Sequence, residues 1–206
     1  MMVRLYYSEG SPNCRKVHLA LLEVGADYEL VHVDLTKAEQ RRPDYLALNP
    51  NGKVPTLVDG DFVLWESNAI LWYLAEKYPA TALLPDDRLE RARLQQMLFW
   101  QATALGPAAR TLYRAAVKTP EKERDAGAID AARSEVARQL AILGGMLGGQ
   151  TALVGDAATI ADLAIGPSVE RALELGLELP AGAGRWLEVM RARPSWAKVF
   201  PAKPAR

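Results

Sequence analysis

NPNGKVPTLVDGDFVLWESNAI, residues 49–70, packs a proline-punctuated strand, a tight hairpin and a strand-to-helix turn into one short stretch. Val54-Pro55 opens an apolar strand over 55–58, Asp59-Gly60 supplies the two-residue loop of a type I′ hairpin, and 61–65 alternates polar and apolar as the return strand. Ser67 then starts a helix and can cap its first turn. The free amides and positive dipole end of a helix start suit a carboxylate, and Glu66 one residue earlier offers a negative partner for an ammonium. One α-amino-acid head group satisfies both, so the stretch reads as a docking site for a small zwitterionic peptide.

The segment that pairs with it is YYSEGSPNCRKVHLALLEVG, residues 6–25. An apolar strand over 3–7 runs through a Gly-Ser-Pro turn into a helix whose apolar positions Val17, Leu21 and Val24 recur at helical spacing. Ser11 reads as the N-cap and Pro12 as the first helical residue, where a missing amide proton costs nothing. A hydroxyl, Asn13 and Cys14 thus gather at a helix start, which favours an anion, a thiolate included, by about 0.3–1 kcal/mol. The two motifs together suggest a thiol peptide.

Composition narrows the class of partner. With 206 residues, half of them hydrophobic and 24% charged, the chain can bury a sizeable core and suits one or two domains. Lys plus Arg and Asp plus Glu each total 25, so no net charge draws it to nucleic acid or an anionic membrane surface. No leader-like start and no long apolar run appear, and the reading is a cytoplasmic chain. A single Cys excludes an internal disulfide and any multi-cysteine metal site. His18 and His32 have no partner at metal-ligand spacing, so no metal is assigned.

Strand-like runs over 3–7, 28–33, 55–58 and 62–65 alternate with helical ones up to Tyr78, the pattern of a mixed α/β domain over 1–78. Residues 79–85 read as a linker. Over 86–206 the period is helical throughout, with runs over 88–117, 121–147 and 160–175 and a shorter helix ending near Arg193-Pro194. Thr159-Ile160-Ala161-Asp162 spells a capping box with Asp in place of Glu or Gln, read as a folding element. The terminal PAKPAR is expected to fray.

SPNCRKV at 11–17, NPNGKVPTLVDG at 49–60, WESNAI at 65–70, TIADLAI at 159–165 and RPSW at 193–196 stand in an order and spacing that resemble the cytosolic glutathione transferase superfamily, in its bacterial, serine-type branches. The resemblance covers nearly the whole chain. It implies a thioredoxin-like N-terminal domain, an all-helical C-terminal domain, glutathione as co-substrate without a metal, a homodimer and a role in detoxification. It also implies a cis bond before Pro55, which turns the backbone of Val54 toward the cysteinyl residue of glutathione, with Lys53 meeting the glycyl carboxylate and Glu66 and Ser67 the other end. Gly52 and Asn68 stand where some branches carry histidine and arginine, so fewer charges hold the peptide.

The chemistry required is thiol activation, because a thiol of pKa about 8.5 is only a few per cent ionised near neutrality. Ser11 either donates its hydroxyl proton to the glutathione sulfur or only caps its helix; both roles fit different ligation states. Asn13, whose amide reaches the same helix start, is the second candidate. Cys14 is read as packing, since it points away from Ser11 by most of a turn and has no resolving cysteine. Lys53 is either a ligand contact or a solvated loop lysine. The electrophile pocket is expected above Ser11, lined by Leu105, Ala108, Ala109, Leu112 and Tyr113 after Gly106-Pro107, whose other reading is ordinary bundle core. Three classes of function follow: an enzyme conjugating glutathione to hydrophobic electrophiles, a glutathione-dependent disulfide oxidoreductase or peroxidase, and a non-enzymatic binding or scaffold protein.

Overall fold

The computed structural model describes residues 2–201, so the PAKPAR segment lies outside the described residues from 202 onward. The first strand, β1 (Val3–Tyr7), leads into helix α1 (Pro12–Glu23) and β2 (Tyr28–His32). Helix α2 (Pro43–Leu48) precedes the hairpin β3 (Thr56–Asp59) and β4 (Phe62–Trp65), and α3 (Ser67–Lys77) follows it. The sheet order is β2-β1-β3-β4, with β1 parallel to β2 and antiparallel to β3. Register aligns Leu5 with Leu30 on one side and Leu57 on the other, and Leu57 with Leu64. This mixed sheet and its helices make the α/β domain that the alternating period implies, with the thioredoxin-like form that the resemblance implies.

Alternation explains β1, where Val3 and Leu5 are buried and Arg4 is exposed, whereas the central strand β3 buries Thr56, Leu57 and Val58 in a row. The hairpin turn differs by one residue from the sequence reading. Asp59 pairs across the ladder with Phe62, so the loop is Gly60-Asp61, and Gly60 supplies the left-handed residue with φ 61°. Asp59 is held instead by the Tyr73 hydroxyl and by Lys77. The buried faces of α1 (Val17, Leu21) and α3 (Ile70, Leu74) pack together, and the paired strands β1 and β3 bury Val3, Leu5, Leu57 and Val58.

The chain falls into two compact units, one running to Leu84 and joined by the segment from Arg193, the other Pro85–Ala192. Two short helices are not read from the sequence, α2 and α9 (Pro194–Val199); α9 belongs to the first unit, where it packs on α1. Arg193 grips Glu23 through Nε–Oε1 at 2.9 Å and Nη2–Oε2 at 2.6 Å, and the Ser195 hydroxyl donates to the same carboxylate.

The second unit is helical. Helix α4 (Arg88–Trp100), capped by Asp87, continues through a π turn at Gln101–Leu105 into α5 (Gly106–Tyr113) and a second π turn at Arg114–Lys118. The first π turn ends at Gly106-Pro107, where proline has no amide to give and the bonding register changes. Helix α6 (Ala126–Leu147) follows, and α8 (Ala181–Arg191) crosses it where a Cβ on Gly182 would lie 2.6 Å from the Gly144 carbonyl oxygen. Between them in sequence, α7 (Ile160–Glu174) is buried at every position from Ile160 to Val169, the mark of a central helix. The capping box forms as expected, and Asp162 does more: it also accepts from the Leu153 amide at 2.9 Å and the buried Trp186 indole at 2.8 Å.

Candidate active site

Ser11 has extended backbone, φ −93° and ψ 117°, and its carbonyl accepts the amides of Cys14 and Arg15 at 3.0 Å. Its hydroxyl oxygen accepts the Cys14 amide at 3.4 Å, which makes Ser11 the N-cap of α1. Asn13 is exposed in the first turn. The loop before Ser11 is fastened from the helix: Arg15 Nε donates to the Glu9 carbonyl at 2.9 Å, and its guanidinium lies 4.8 Å from the ring centre of Phe200.

Cys14 is fully buried, and the Ser8 amide donates to its sulfur at 3.4 Å. Burial pushes its thiol up to about 11 despite the hydrogen bonds from Ser11 and Ser8, so the sulfur stays protonated at neutral pH.

A second group of residues builds the 49–56 loop. The Tyr45 hydroxyl donates to the Lys53 carbonyl at 2.6 Å, Asn49 Nδ2 donates to the same oxygen at 2.8 Å, and Tyr45 and Asn49 both reach Thr56 Oγ1, at 2.9 and 3.2 Å. Asn49, Tyr45 and Thr56 are buried, so this network sets the path of Lys53 and Val54 while the Lys53 side chain is exposed. The Val54–Pro55 bond is cis. Among the described residues no hydrogen bond engages the amide or carbonyl of Val54, which stands open to an extended peptide.

At the start of α3 one expectation is corrected. Ser67 is not the cap but the first helical residue, and it is buried; the cap position is Glu66, exposed, with φ 70° and ψ 107° and no side-chain capping bond. The start of α3 thus sets helix-end amides, with their positive dipole end, beside the Glu66 carboxylate, partners of opposite sign. A left-handed conformation at glutamate is costly and persists only where the surroundings hold it. Directly behind lies Lys16, a lysine with 1% of its surface exposed, whose Nζ donates to Asn68 Oδ1 at 2.6 Å. Burial lowers the Lys16 pKa to about 7, against the favourable charge of Glu66.

In the helical unit, Leu105, Ala108, Ala109 and Leu112 are buried where α5 packs on α6 and α7. Tyr113 keeps part of its surface and carries the Arg171 guanidinium 4.4 Å from its ring centre, with Lys118 Nζ at 5.8 Å. Among the described residues no group of His, Cys, Asp and Glu is arranged to hold a metal. His18 Nε2 and the Tyr28 hydroxyl share a hydrogen bond of 2.9 Å, and His32 sets its ring edge to face with Tyr7.

Sequence reasoning missed Lys16, Tyr45 and Asn49. Lys16 carried a usable signal, since it falls on the stripe of α1 that also holds Leu19 and Ala20, where a lysine is out of place. Asn49 stands at the head of the 49–70 stretch, but nothing local tells of its partners across the turn.

Family models for the glutathione S-transferase N-terminal domain and C-terminal domain match residues 1–76 and 102–194. The Escherichia coli glutathione S-transferase GstB is 35% identical over 202 residues, covering 96% of this chain and 97% of that protein. The Escherichia coli disulfide-bond oxidoreductase YfcG is 34% identical over 203 residues, covering 94% and 92%. Among solved structures, the theta class glutathione S-transferase of Xanthomonas axonopodis pv. citri, crystallised with glutathione bound, superposes with a TM-score of 0.90 at 34% identity over 98% of each chain.

Proposed function

The chain belongs to the glutathione S-transferase family and is a glutathione transferase with glutathione as co-substrate, and we propose that Ser11 is the group that holds the glutathione sulfur as its thiolate. The thiolate then attacks a hydrophobic electrophile, forming a carbon–sulfur bond. The observation that carries the assignment is the placement of the Ser11 hydroxyl at the first turn of α1, where its oxygen accepts the Cys14 amide. Lowering a thiol from about 8.5 to about neutral pH requires about 2 kcal/mol. One hydrogen bond to a charged sulfur, about 1.5–3 kcal/mol, and a helix start, about 0.3–1 kcal/mol, together supply that.

The remaining peptide is laid out by the same reading. The Val54 amide and carbonyl pair with the cysteinyl residue, Pro55 fixes the chain there, and Lys53 meets the glycyl carboxylate. Glu66 takes the γ-glutamyl ammonium, while the first amides of α3 and the Ser67 hydroxyl take its α-carboxylate. Asn13, exposed one residue past Pro12, is a second polar group available to the sulfur or the electrophile. Of the electrophile-pocket candidates, Tyr113 keeps surface to meet a ligand, and Leu105, Ala108, Ala109 and Leu112 act by shaping its support.

A homodimer, a detoxifying role and a cytoplasmic location complete the proposal. Exposed Phe62, Leu89 and Phe99 support self-association, which sedimentation at micromolar concentration tests. Among the described residues no helix is long and apolar enough to cross a membrane. The mechanism is tested by titrating glutathione into the parent and Ser11→Ala while following thiolate absorbance. Thiolate formed at neutral pH in the parent and absent in the mutant, with binding retained, supports Ser11; thiolate unchanged by the mutation transfers the role to Asn13.

A further inference from the structure

Lys16 is placed where a lysine is costly: in the first half of α1, 1% exposed, among side chains that form the core. An unpaired ammonium there would lose its hydration without compensation, so its retention requires partners. Asn68, the second residue of α3 and 52 positions away in sequence, is one, its side chain accepting from Nζ. Asn68 follows Glu66-Ser67 directly, and Glu66 holds a left-handed backbone that needs outside support. The charge of Glu66 also acts on Lys16, whose pKa it raises against burial. Position 68 carries no charge of its own, and the fold brings the Lys16 amine up behind it from another helix.

We propose that Lys16 is a positioning residue for the γ-glutamyl end of the glutathione site: by holding Asn68 from beneath, it fixes the start of α3 and the Glu66-Ser67 turn in the geometry that receives the ammonium and α-carboxylate. The proposal rests on the assignment of that turn to glutathione. Lys16 touches no ligand itself; it acts through its hydrogen bond to Asn68.

The test uses Lys16→Met and Asn68→Leu, singly and together, with two probes: glutathione and cysteinylglycine, which lacks the γ-glutamyl head. In the parent, glutathione binds more tightly than cysteinylglycine. Each single variant is expected to weaken glutathione at least tenfold and leave cysteinylglycine nearly unchanged, and the double variant is expected to be no worse than either single, because both remove one shared contact. A purely structural role would weaken both probes alike, and that result overturns the proposal. So does unchanged glutathione affinity in folded Lys16→Met and Asn68→Leu. The melting temperature supplies a second readout: replacing a buried amine by methionine is expected to leave it equal or higher, so that binding is lost without stability. If the parent does not distinguish glutathione from cysteinylglycine, the site assignment fails and this inference with it, an outcome distinct from failure of the variants alone.

Discussion

The Cys14 amide donates to the Ser11 hydroxyl oxygen at 3.4 Å, so one serine caps the start of α1 with its oxygen, a role distinct from donation of its hydroxyl proton to a sulfur. Capping and thiolate stabilisation are separable because they use different parts of the hydroxyl. Ser11→Ala is expected to cost about 1 kcal/mol of stability and Ser11→Gly only a few tenths, since glycine is a tolerated cap. Both should lose the bound thiolate and about 10²-fold in turnover, on the scale of removing one oriented donor. Thermal melts alongside conjugation rates decide it: a Ser11→Gly enzyme with parental rates would leave the serine as a cap alone.

Cys14 separates conjugation from disulfide chemistry. With the thiol fully buried and its pKa pushed up to about 11 by burial, very little thiolate exists at pH 7. Cys14→Ala should therefore retain glutathione conjugation within about twofold, with a stability loss of about 1 kcal/mol for the small cavity. A thiol reagent at neutral pH should label the folded protein slowly. Rapid labelling, or loss of turnover in Cys14→Ala, would put the oxidoreductase reading first.

Asp162 is the keystone of the helical unit, accepting from the Thr159 amide and hydroxyl, the Leu153 amide and the Trp186 indole with no surface exposed. Asp162→Ala strands all of these donors in the core, and a loss of about 3 kcal/mol or more is expected. That corresponds to a drop of roughly 6–12 °C in melting temperature for a chain of this size. Glutathione affinity measured below the melting transition should be unchanged; equal melting temperatures of mutant and parent would refute this role.

Docking of α9 on α1 should depend on acid. Burial opposes ionisation of Glu23, but hydrogen bonds from Arg193 and Ser195 outweigh it and hold the carboxyl below its ordinary 4.5. A carboxylate with a lowered folded pKa contributes stability above about 4.5, and that contribution disappears as pH falls through the lower folded value. Stability of the parent should therefore fall as pH drops below about 4.5, and Arg193→Leu should lower stability at neutral pH while flattening that fall. Parallel pH curves for the two proteins would show that the pair is not linked to folding.

What the amino-acid sequence determined is what short-range physics governs. Proline at a helix start, a Gly turn between alternating strands, Ser11 as a cap and the Thr159–Asp162 box each depend on residues within four positions, so the elements and most of the proposed glutathione-site residues are legible in the chain itself. Small displacements came from competing local choices: Asp59 joined the ladder and passed the turn to Gly60-Asp61, and Glu66 took the cap position from Ser67. Helix α9 was missed because six residues after a proline carry little periodic signal, and its stability comes from Glu23, 170 positions from Arg193. Burial of Lys16 was equally hidden, since a lysine reads as solvent-facing until a partner 52 residues away is brought to its Nζ. Only the tertiary structure could decide these, because the free energy of a buried charge or a docked short helix is set by groups that the chain brings together across long loops, not by its neighbours in sequence.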